Sequence, residues 1–539
     1  MRDAIYDLVK RISGGNEKLA GICVRAIQAR GDEDERDEDE SDSGDVCCRV
    51  TPEEIAILDS APQIVAAVDA DSDPDKVDVP FVRCGNLLYA RRSWRYEQIV
   101  RRRVGEMAAS EWLKDNAVPE GGEYATLRKE DQRPSVPTLL AKRFSILTGG
   151  PGTGKTFTLG KAVKLLREKR PDAIVALAAP TGKAAARINE SLEDLKKQGL
   201  LDGVQPATTL HSLLEPNPDF VTFRHDRSNP LPLDWLVVDE ASMIALPLMA
   251  KLVEALPETC ALTLIGDAHQ LASVEQGRVF GDLCELFAGN VARLTVSSRF
   301  PAGGTIDRLA KAVNGGGEDS FDKVAGILAE GSVAIFRQIA EEDAFEPDKW
   351  GDFRDLVQNG FALFKACTEP ETALEELKRF RILCAHRKGP FGVEALNRYV
   401  EGVVGKQCPR PMMITRNDKM LEVNNGDVGV VMPKDPQYLC LKTLGHGVRK
   451  IRLELLPATE LAFASTVHKA QGSEYGDVAI VLPQSAGKSE EENAFKLLTR
   501  EILYTAITRT KKTVAIWGSD DAIRHCSQHA IDRVSGLVP

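Results

Sequence analysis

The sequence predicts an α/β protein: a doubly wound parallel-sheet domain, then a second α/β pattern with a small β-barrel inserted into it. From Phe144 onward, short apolar runs ("FSILT", "AIVALAA", "WLVVD", "ALTLIGD") alternate with helical stretches. Strands buried on both faces of a parallel sheet need that pattern. The rhythm resumes after Arg299, where "RILCAH", "DVAIVLP" and "TVAIWG" read as strands. Between them, from about Pro411 to Pro457, "PMMITRNDKMLEVNNGDVGVVM" shows short alternating runs and Asn-Gly turn chemistry, the mark of a small antiparallel barrel.

The expected boundaries are 1–115, 116–298, 299–410 with 458–539, and the insertion 411–457. The first region reads as mainly helical. "IYDLVKRI" and "LAGICVRAIQA" have helical apolar spacing, and Thr51 with Glu54 forms a capping box. A hairpin around Gly85 and Asn86 precedes a helix bearing Arg91, Arg92, Arg95, Arg101, Arg102 and Arg103 with Trp94 and Tyr96. That helix either meets DNA or an acidic partner, or turns arginines to solvent and its aromatics to the core.

A chain of 539 residues, 43% hydrophobic and 28% charged, suits a soluble protein of several domains. No stretch approaches the roughly 20 apolar residues of a membrane span, and "MRDAIYDLVKRISGGNEK" lacks a signal peptide's apolar run. The expectation is a cytoplasmic protein with no membrane partner. Eleven cysteines without C-x-x-C spacing fit reduced thiols and exclude a disulfide scaffold, a zinc site or a four-cysteine cluster. The net charge of −11 lies mostly in "DEDERDEDESDSGD", Asp32 to Asp45, which leaves the rest of the chain nearly neutral. Such a block repels itself and buries nothing, so it reads as a disordered loop, with a DNA mimic or docking tail as the alternative.

"GGPGTGKT" (Gly149, Gly150, Pro151, Gly152, Thr153, Gly154, Lys155, Thr156) fits the P-loop pattern between a strand and a helix. Glycines let backbone N–H groups curl around phosphates, Lys155 reaches the β- and γ-phosphates, and the Thr156 hydroxyl ligates Mg2+. In "WLVVDEAS", Asp239 can hold the magnesium shell and Glu240 can orient and deprotonate the attacking water. Gln270, on the loop after the next strand, can sense the γ-phosphate. Arg299 in "SSRF" and Arg509 in "YTAITRTKK" can meet transition-state charge if both point into a cleft between the α/β domains. A nucleoside triphosphate and Mg2+ are the ligands these residues imply.

Together these segments resemble the RecD-type helicases, the α subunit of exodeoxyribonuclease V, in the 5′-to-3′ branch of helicase superfamily one. "APTGKAAARI", "TTLHSLL", "NPLPLDWLVVDEASM", "STVHKAQGSEYGDVAIVLP" and "TREILYTAITRTKK" carry the resemblance, which runs from about Pro80 to the C-terminus. It implies two RecA-like P-loop NTPase domains with ATP between them, an inserted SH3-like barrel, and single-stranded DNA drawn across their tops. It also implies action at duplex DNA ends for recombinational repair, in a heterotrimer with RecB-like and RecC-like subunits. No acidic cluster here resembles a nuclease site, so cutting falls to a partner.

By the resemblance, Thr181, Lys183, His211, Thr466, His468, Lys469 and Gln471 hold DNA phosphates and sugars without reading bases. For His468 a satisfied buried histidine is the alternative. Gln132, 17 residues before Gly149, matches the glutamine that recognises adenine. The chain departs from the family at Ser298 and Val296, where the fourth motif carries an aromatic and an arginine. Pro134 and Pro137 are expected to break the helix after Gln132. The rival readings are a free-standing helicase of this type, an RNA helicase, and an ATP-binding scaffold without translocation.

Overall fold

Residues 2–28, 45–197, 204–217, 222–273, 276–301, 303–331, 333–344, 346–418, 420–443, 447–484, 495 and 497–538 are described by the computed structural model. The acidic block from Asp32 to Gly44 lies outside them. Helices α1 (Arg2–Ile12), α2 (Glu17–Gln28) and α3 (Pro52–Asp59) accompany a sheet of β1 (Cys48–Arg49), β2 (Val65–Val68), β3 (Phe81–Cys84) and β4 (Leu87–Ala90), ordered β1-β4-β3-β2. The Thr51–Glu54 capping box forms reciprocally, and β3 and β4 pair as the expected hairpin, with Gly85 at φ +59°. The first region is thus mostly helical but adds a small sheet around the expected hairpin. Strands as short as β1 and β2 leave too little alternation to be read from sequence.

Helix α4 (Arg91–Ala109) settles the basic-aromatic question toward packing. Trp94 and Tyr96 are buried in a core shared with the first parallel sheet. Arg91 pairs with Asp78 and Arg95 with Asp75, while Arg101 and Arg103 donate to the carbonyls of Leu537 and Leu256. Helix α5 (Gln132–Ala141) runs through both prolines, contrary to expectation. Pro134 sits in the first turn, where an N–H has no intrahelical acceptor, and Pro137 removes a single bond.

Strands β5 (Phe144–Gly149), β6 (Val175–Ala179), β7 (Thr208–Thr209), β8 (Trp235–Val238), β9 (Ala261–Gly266) and β10 (Val291–Leu294) form a parallel sheet ordered β10-β5-β9-β8-β6-β7. A second parallel sheet, β11-β20-β19-β12-β18, uses β11 (Ala334–Gln338), β12 (Phe380–Cys384), β18 (Ala464–Thr466), β19 (Tyr475–Val481) and β20 (Thr510–Gly518). Between β12 and β18 comes a five-stranded antiparallel sheet of β13 (Arg410–Ile414), β14 (Val428–Val431), β15 (Tyr438–Thr443), β16 (Gly447–Arg452) and β17 (Thr459–Leu461). Its own small core holds Ile414, Val423, Val431, Leu439, Leu441 and Ile451. All eleven cysteines are free. Among the described residues no helix is long and apolar enough to cross a membrane.

After the helix Asp520–Gln528 the chain leaves the second sheet and returns to the first region. Arg533 donates to the carbonyls of Ser273 and Gly277 at 2.6 and 3.0 Å. Val534 bonds Val46 and Asp45, and Gly536 N donates to Glu97 Oε2 at 2.9 Å. Leu537 is buried beside α4. A Cβ on Gly536 would overlap the Tyr89 hydroxyl and lie 2.7 Å from Glu97 Oε1. Gly536→Val is therefore expected to destabilise the chain by about 1–3 kcal/mol, read as a lower denaturant midpoint. Burial pushes the Glu97 carboxyl up to about 7 from the ordinary 4.5. A carboxyl raised on folding stabilises below its unfolded pKa, and that contribution is lost as pH rises through the folded one. Glu97→Gln should thus gain stability relative to wild type between pH 5 and 8, by on the order of 2 kcal/mol in comparative thermal melts.

Candidate nucleotide site between the parallel sheets

The loop after β5 needs left-handed backbone at Gly152 (φ +74°) and Gly154 (φ +85°), and α6 (Lys155–Lys169) starts from it. Its amides and the helix dipole make an anion cradle. Lys155 Nζ donates to the carbonyls of Gly149 and Gly150 at 2.6 and 3.2 Å, so the ammonium lies folded over its own loop. Thr153 Oγ1 donates to Gly150 O. On one side Ser298 donates both its N and its Oγ to Gly152 O at 2.8 Å, and Ser297 Oγ donates to Pro151 O. On the other side Arg128 and Gln132 Nε2 donate to Thr153 O. Gln132 also accepts from Arg128 N and is buried behind the loop. A Cβ on Gly152 would sit 2.5 Å from Arg299 Cβ, and one on Gly154 2.6 Å from Gln132 Nε2. The loop is clamped.

Asp239 and Glu240 follow β8. Glu240 takes φ +52°, a left-handed conformation costly for a residue with a side chain. Its N donates to Asp239 Oδ1 at 2.8 Å, and both acids line the cleft. Burial, reinforced by the neighbouring Glu240 charge, raises the Asp239 pKa. After β9, Asp267 accepts from Gln270 Nε2 at 3.1 Å and from the Tyr504 hydroxyl at 2.9 Å. Among the described residues Gln270 Oε1 is buried without a hydrogen-bond partner, and the residue lines the cleft. An acceptor so placed can take a proton of a bound water.

Pro151 to Phe157 of the first lobe and Glu474 and Arg509 of the second line one cleft. Arg509 is buried, and it donates only to neutral oxygens among the described residues: Thr505 O, Ser473 O and Thr508 Oγ1. Arg299 donates to Thr508 O at 3.4 Å and pairs with Glu474. Burial, with Arg187 and Arg509 adding, lowers its pKa to about 9. Sequence reasoning missed Arg187, Asp267, Glu474 and Tyr504 as members of this site. For Arg187 a signal existed: it lies one helical turn after Lys183 on α7 (Gly182–Lys197).

The seven residues expected to contact DNA divide. Lys183 Nζ donates to Lys469 O at 3.0 Å, across the lobe seam, and burial lowers its pKa. Thr181 Oγ1 accepts from Ala184 N, and Thr466 Oγ1 from Lys469 N, both at 3.2 Å. Lys469 Nζ pairs with Glu460 at 3.0 Å. His211 is exposed and His468 half-buried. Gln471 is buried and donates to Leu271 O at 3.0 Å, so it joins the lobes instead of facing open surface. Asn424 of the inserted sheet covers Gly182, leaving no room there for a Cβ.

Two family models match: an AAA domain over residues 132–276 and a UvrD-like helicase C-terminal domain over residues 461–517. The RecBCD enzyme subunit RecD of Mycolicibacterium smegmatis is 37% identical over 479 residues, covering 84% of this chain and 82% of the relative. The ATP-dependent RecD2 DNA helicase of Deinococcus radiodurans is 31% identical over 409 residues, covering 73% of this chain but 49% of the relative. Among solved structures, one described as two coordinating Pif1 helicases at forked duplex DNA aligns with TM-score 0.41 and 16% identity, covering 72% of this chain and 92% of that one. With a nucleotide-type P-loop at the seam of two parallel sheets and a relative of this identity along most of both chains, the protein belongs to the RecD family of ATP-dependent superfamily-one helicases.

Proposed function

We propose that this helicase moves 5′ to 3′ on single-stranded DNA as the α subunit of a three-subunit helicase–nuclease. It would act in the cytoplasm on duplex DNA ends during recombinational repair, with RecB-like and RecC-like partners. The observation that carries the ATP-driven part is Arg509: a buried guanidinium from the second lobe that lines the same cleft as Lys155 and, among the described residues, donates only to neutral oxygens. Glu240 and Asp267 act on it across the cleft without an ion pair, which leaves its donors free to exchange neutral acceptors for phosphate oxygens. Subunit status is favoured over a free-standing helicase by identity, 37% to the mycolicibacterial RecD subunit against 31% to RecD2.

In this reading the two parallel sheets are RecA-like domains and the inserted antiparallel sheet is the family's SH3-like element. The P-loop amides from Gly149 to Thr156 and Lys155 hold the β- and γ-phosphates. Glu240 takes the proton of the attacking water, Gln270 Oε1 orients that water, and Arg299 and Arg509 meet charge on the leaving phosphoryl group. Thr156 Oγ1 and Asp239 suit Mg2+, a hard cation that commonly takes few protein oxygens beside the phosphates it neutralises. Gln132, behind the loop, positions Thr153 and reaches adenine only from the loop's edge. Hydrolysis shifts the lobes, and Thr181, Lys183, His211, Thr466, His468 and Lys469 pass the DNA backbone along. Gln471 transmits the shift.

Lys155→Gln should abolish DNA-stimulated ATPase while leaving subunit assembly intact. Arg509→Ala should lower kcat about a thousandfold yet keep ADP binding, measured by steady-state turnover and equilibrium titration. Gly152→Ala should weaken ATP binding about tenfold, because left-handed strain and contact with Arg299 act together. On tailed duplexes, unwinding is expected with a 5′ tail and not with a 3′ tail. The opposite preference, or equal turnover on RNA, would replace this reading.

A further inference from the structure

Glu474 has no part in the chemistry assigned to the cleft, yet it is the acid around which the cleft's cations gather. It lies in the turn before β19 and lines the nucleotide cleft. Arg299 and Arg187 both pair with its Oε1, and Lys511 Nζ lies 3.2 Å from its Oε2. These cations arrive from separate segments: Arg299 after β10, Arg187 on α7 and Lys511 on β20. The Glu474 side chain is 15% exposed and that of Arg299 14%. Guanidiniums this close and this dry repel one another unless an anion sits between them.

Each partner is anchored differently. Arg299 follows Ser297 and Ser298, whose side chains and backbone are fixed to Pro151 O and Gly152 O of the P-loop. Its guanidinium can therefore turn toward the phosphate cradle by side-chain rotation alone. Arg187 is held twice by the second lobe, at Glu474 and at Gly472 O (2.8 Å), and it stays with that turn. A γ-phosphate carries more charge than a carboxylate and accepts a guanidinium in the same forked geometry. Entry of a triphosphate sets up a competition for Arg299 that a diphosphate, lacking the γ group, does not.

We propose that Glu474 is a positioning residue: it holds Arg299 while the cleft lacks a triphosphate, yields it to the γ-phosphate, and keeps Arg187 throughout. Nucleotide occupancy is then read as a change of partner for one arginine at the lobe seam. The inference rests on the nucleotide-site reading and extends it to how the site tells ATP from ADP.

The test is a pair of affinities on the full chain, for an imido-bridged non-hydrolysable ATP analogue and for ADP. Glu474→Gln keeps the size of the side chain and removes its charge. It should tighten the analogue by about fivefold or more while ADP changes by less than about twofold. DNA-independent ATPase should rise, because Arg299 no longer has to be released. Arg299→Ala alone should weaken the analogue and not ADP, and adding Glu474→Gln to Arg299→Ala should change neither. A purely structural role for Glu474 would weaken both nucleotides together, and that result overturns the proposal. So does an unchanged analogue-to-ADP ratio, or a shifted ratio that persists in the Arg299→Ala background. Lys155→Gln, assayed in parallel, separates the two layers. If it turns over ATP like wild type, the site reading itself fails. If it is inactive while Glu474→Gln leaves the ratio unchanged, this inference alone fails.

Discussion

Positive charge at the seam of the two lobes is the constraint on which the rest of the structure depends. Lys155, Arg187, Arg299 and Arg509 line or border one cleft, and two of them are held by a single carboxylate, Glu474. In a low-dielectric seam such a grouping is tolerable only with an anion present, whether internal or bound. The lobes do not meet there through apolar surface alone. Leu271 N donates to Thr505 Oγ1 at 3.0 Å, Tyr504 donates to Asp267, and Gln471 donates to Leu271 O, so backbone and side chain are interlocked around the charges.

A second restraint comes from the returning segment after Gln528. It is bonded to the first lobe at Ser273 and Gly277 and to the first region at Val46, Asp45 and Glu97. His529 and Ile531 are still bonded to the second lobe at Arg500 and Glu501, so rotation of that lobe can leave these contacts intact only if the chain between Ile531 and Arg533 absorbs it. The P-loop, by contrast, is braced on both flanks and has little freedom of its own. Motion is thereby directed into the second lobe and away from the phosphate cradle.

What the sequence revealed, and what it hid, follows from the same physics. The P-loop and the Asp239–Glu240 pair were legible because their chemistry lies in contiguous residues whose geometry is set locally by a strand, a turn and a helix start. The inner strands of both parallel sheets, β5, β6, β8, β9, β12, β19 and β20, were legible because burial on two faces leaves an unbroken apolar run, whereas the edge strands β7, β10, β11 and β18 were not. Glu474 and Asp267 were not, since an acid in a loop acquires meaning only from the cations that another lobe delivers. Gly536 was invisible because its function is the absence of a side chain beside Tyr89 and Glu97. Ser298, which looked like a loss against the family's aromatic, gains a role that a ring lacks: its hydroxyl donates to Gly152 O. The prolines of α5 misled because Pro134 falls in the first turn, where it removes no bond, and the single bond lost at Pro137 does not break a helix whose Val136, Leu139 and Leu140 are buried.

The stretch from Thr466 to Tyr475 shows how occupancy at one end can reach the other. Residues proposed to hold DNA, Thr466, His468 and Lys469, stand at its start, and Glu474 stands at its end. Between them it is tied by short turns, Ala470 N to Thr466 O, Gln471 N to His468 O and Ser473 N to Ala470 O, which leave little slack. Helix α7 grips the same stretch at two points one turn apart, through Lys183 at Lys469 O and Arg187 at Gly472 O. A helix is stiff over one turn, so displacement of Arg187 and displacement of Lys183 are not independent. A displacement of the Glu474 turn, which carries Arg187 with it, is therefore passed to Lys183 and Lys469 through these hydrogen bonds. Coupling of this kind needs no long pathway, only a short tether held firmly at both ends.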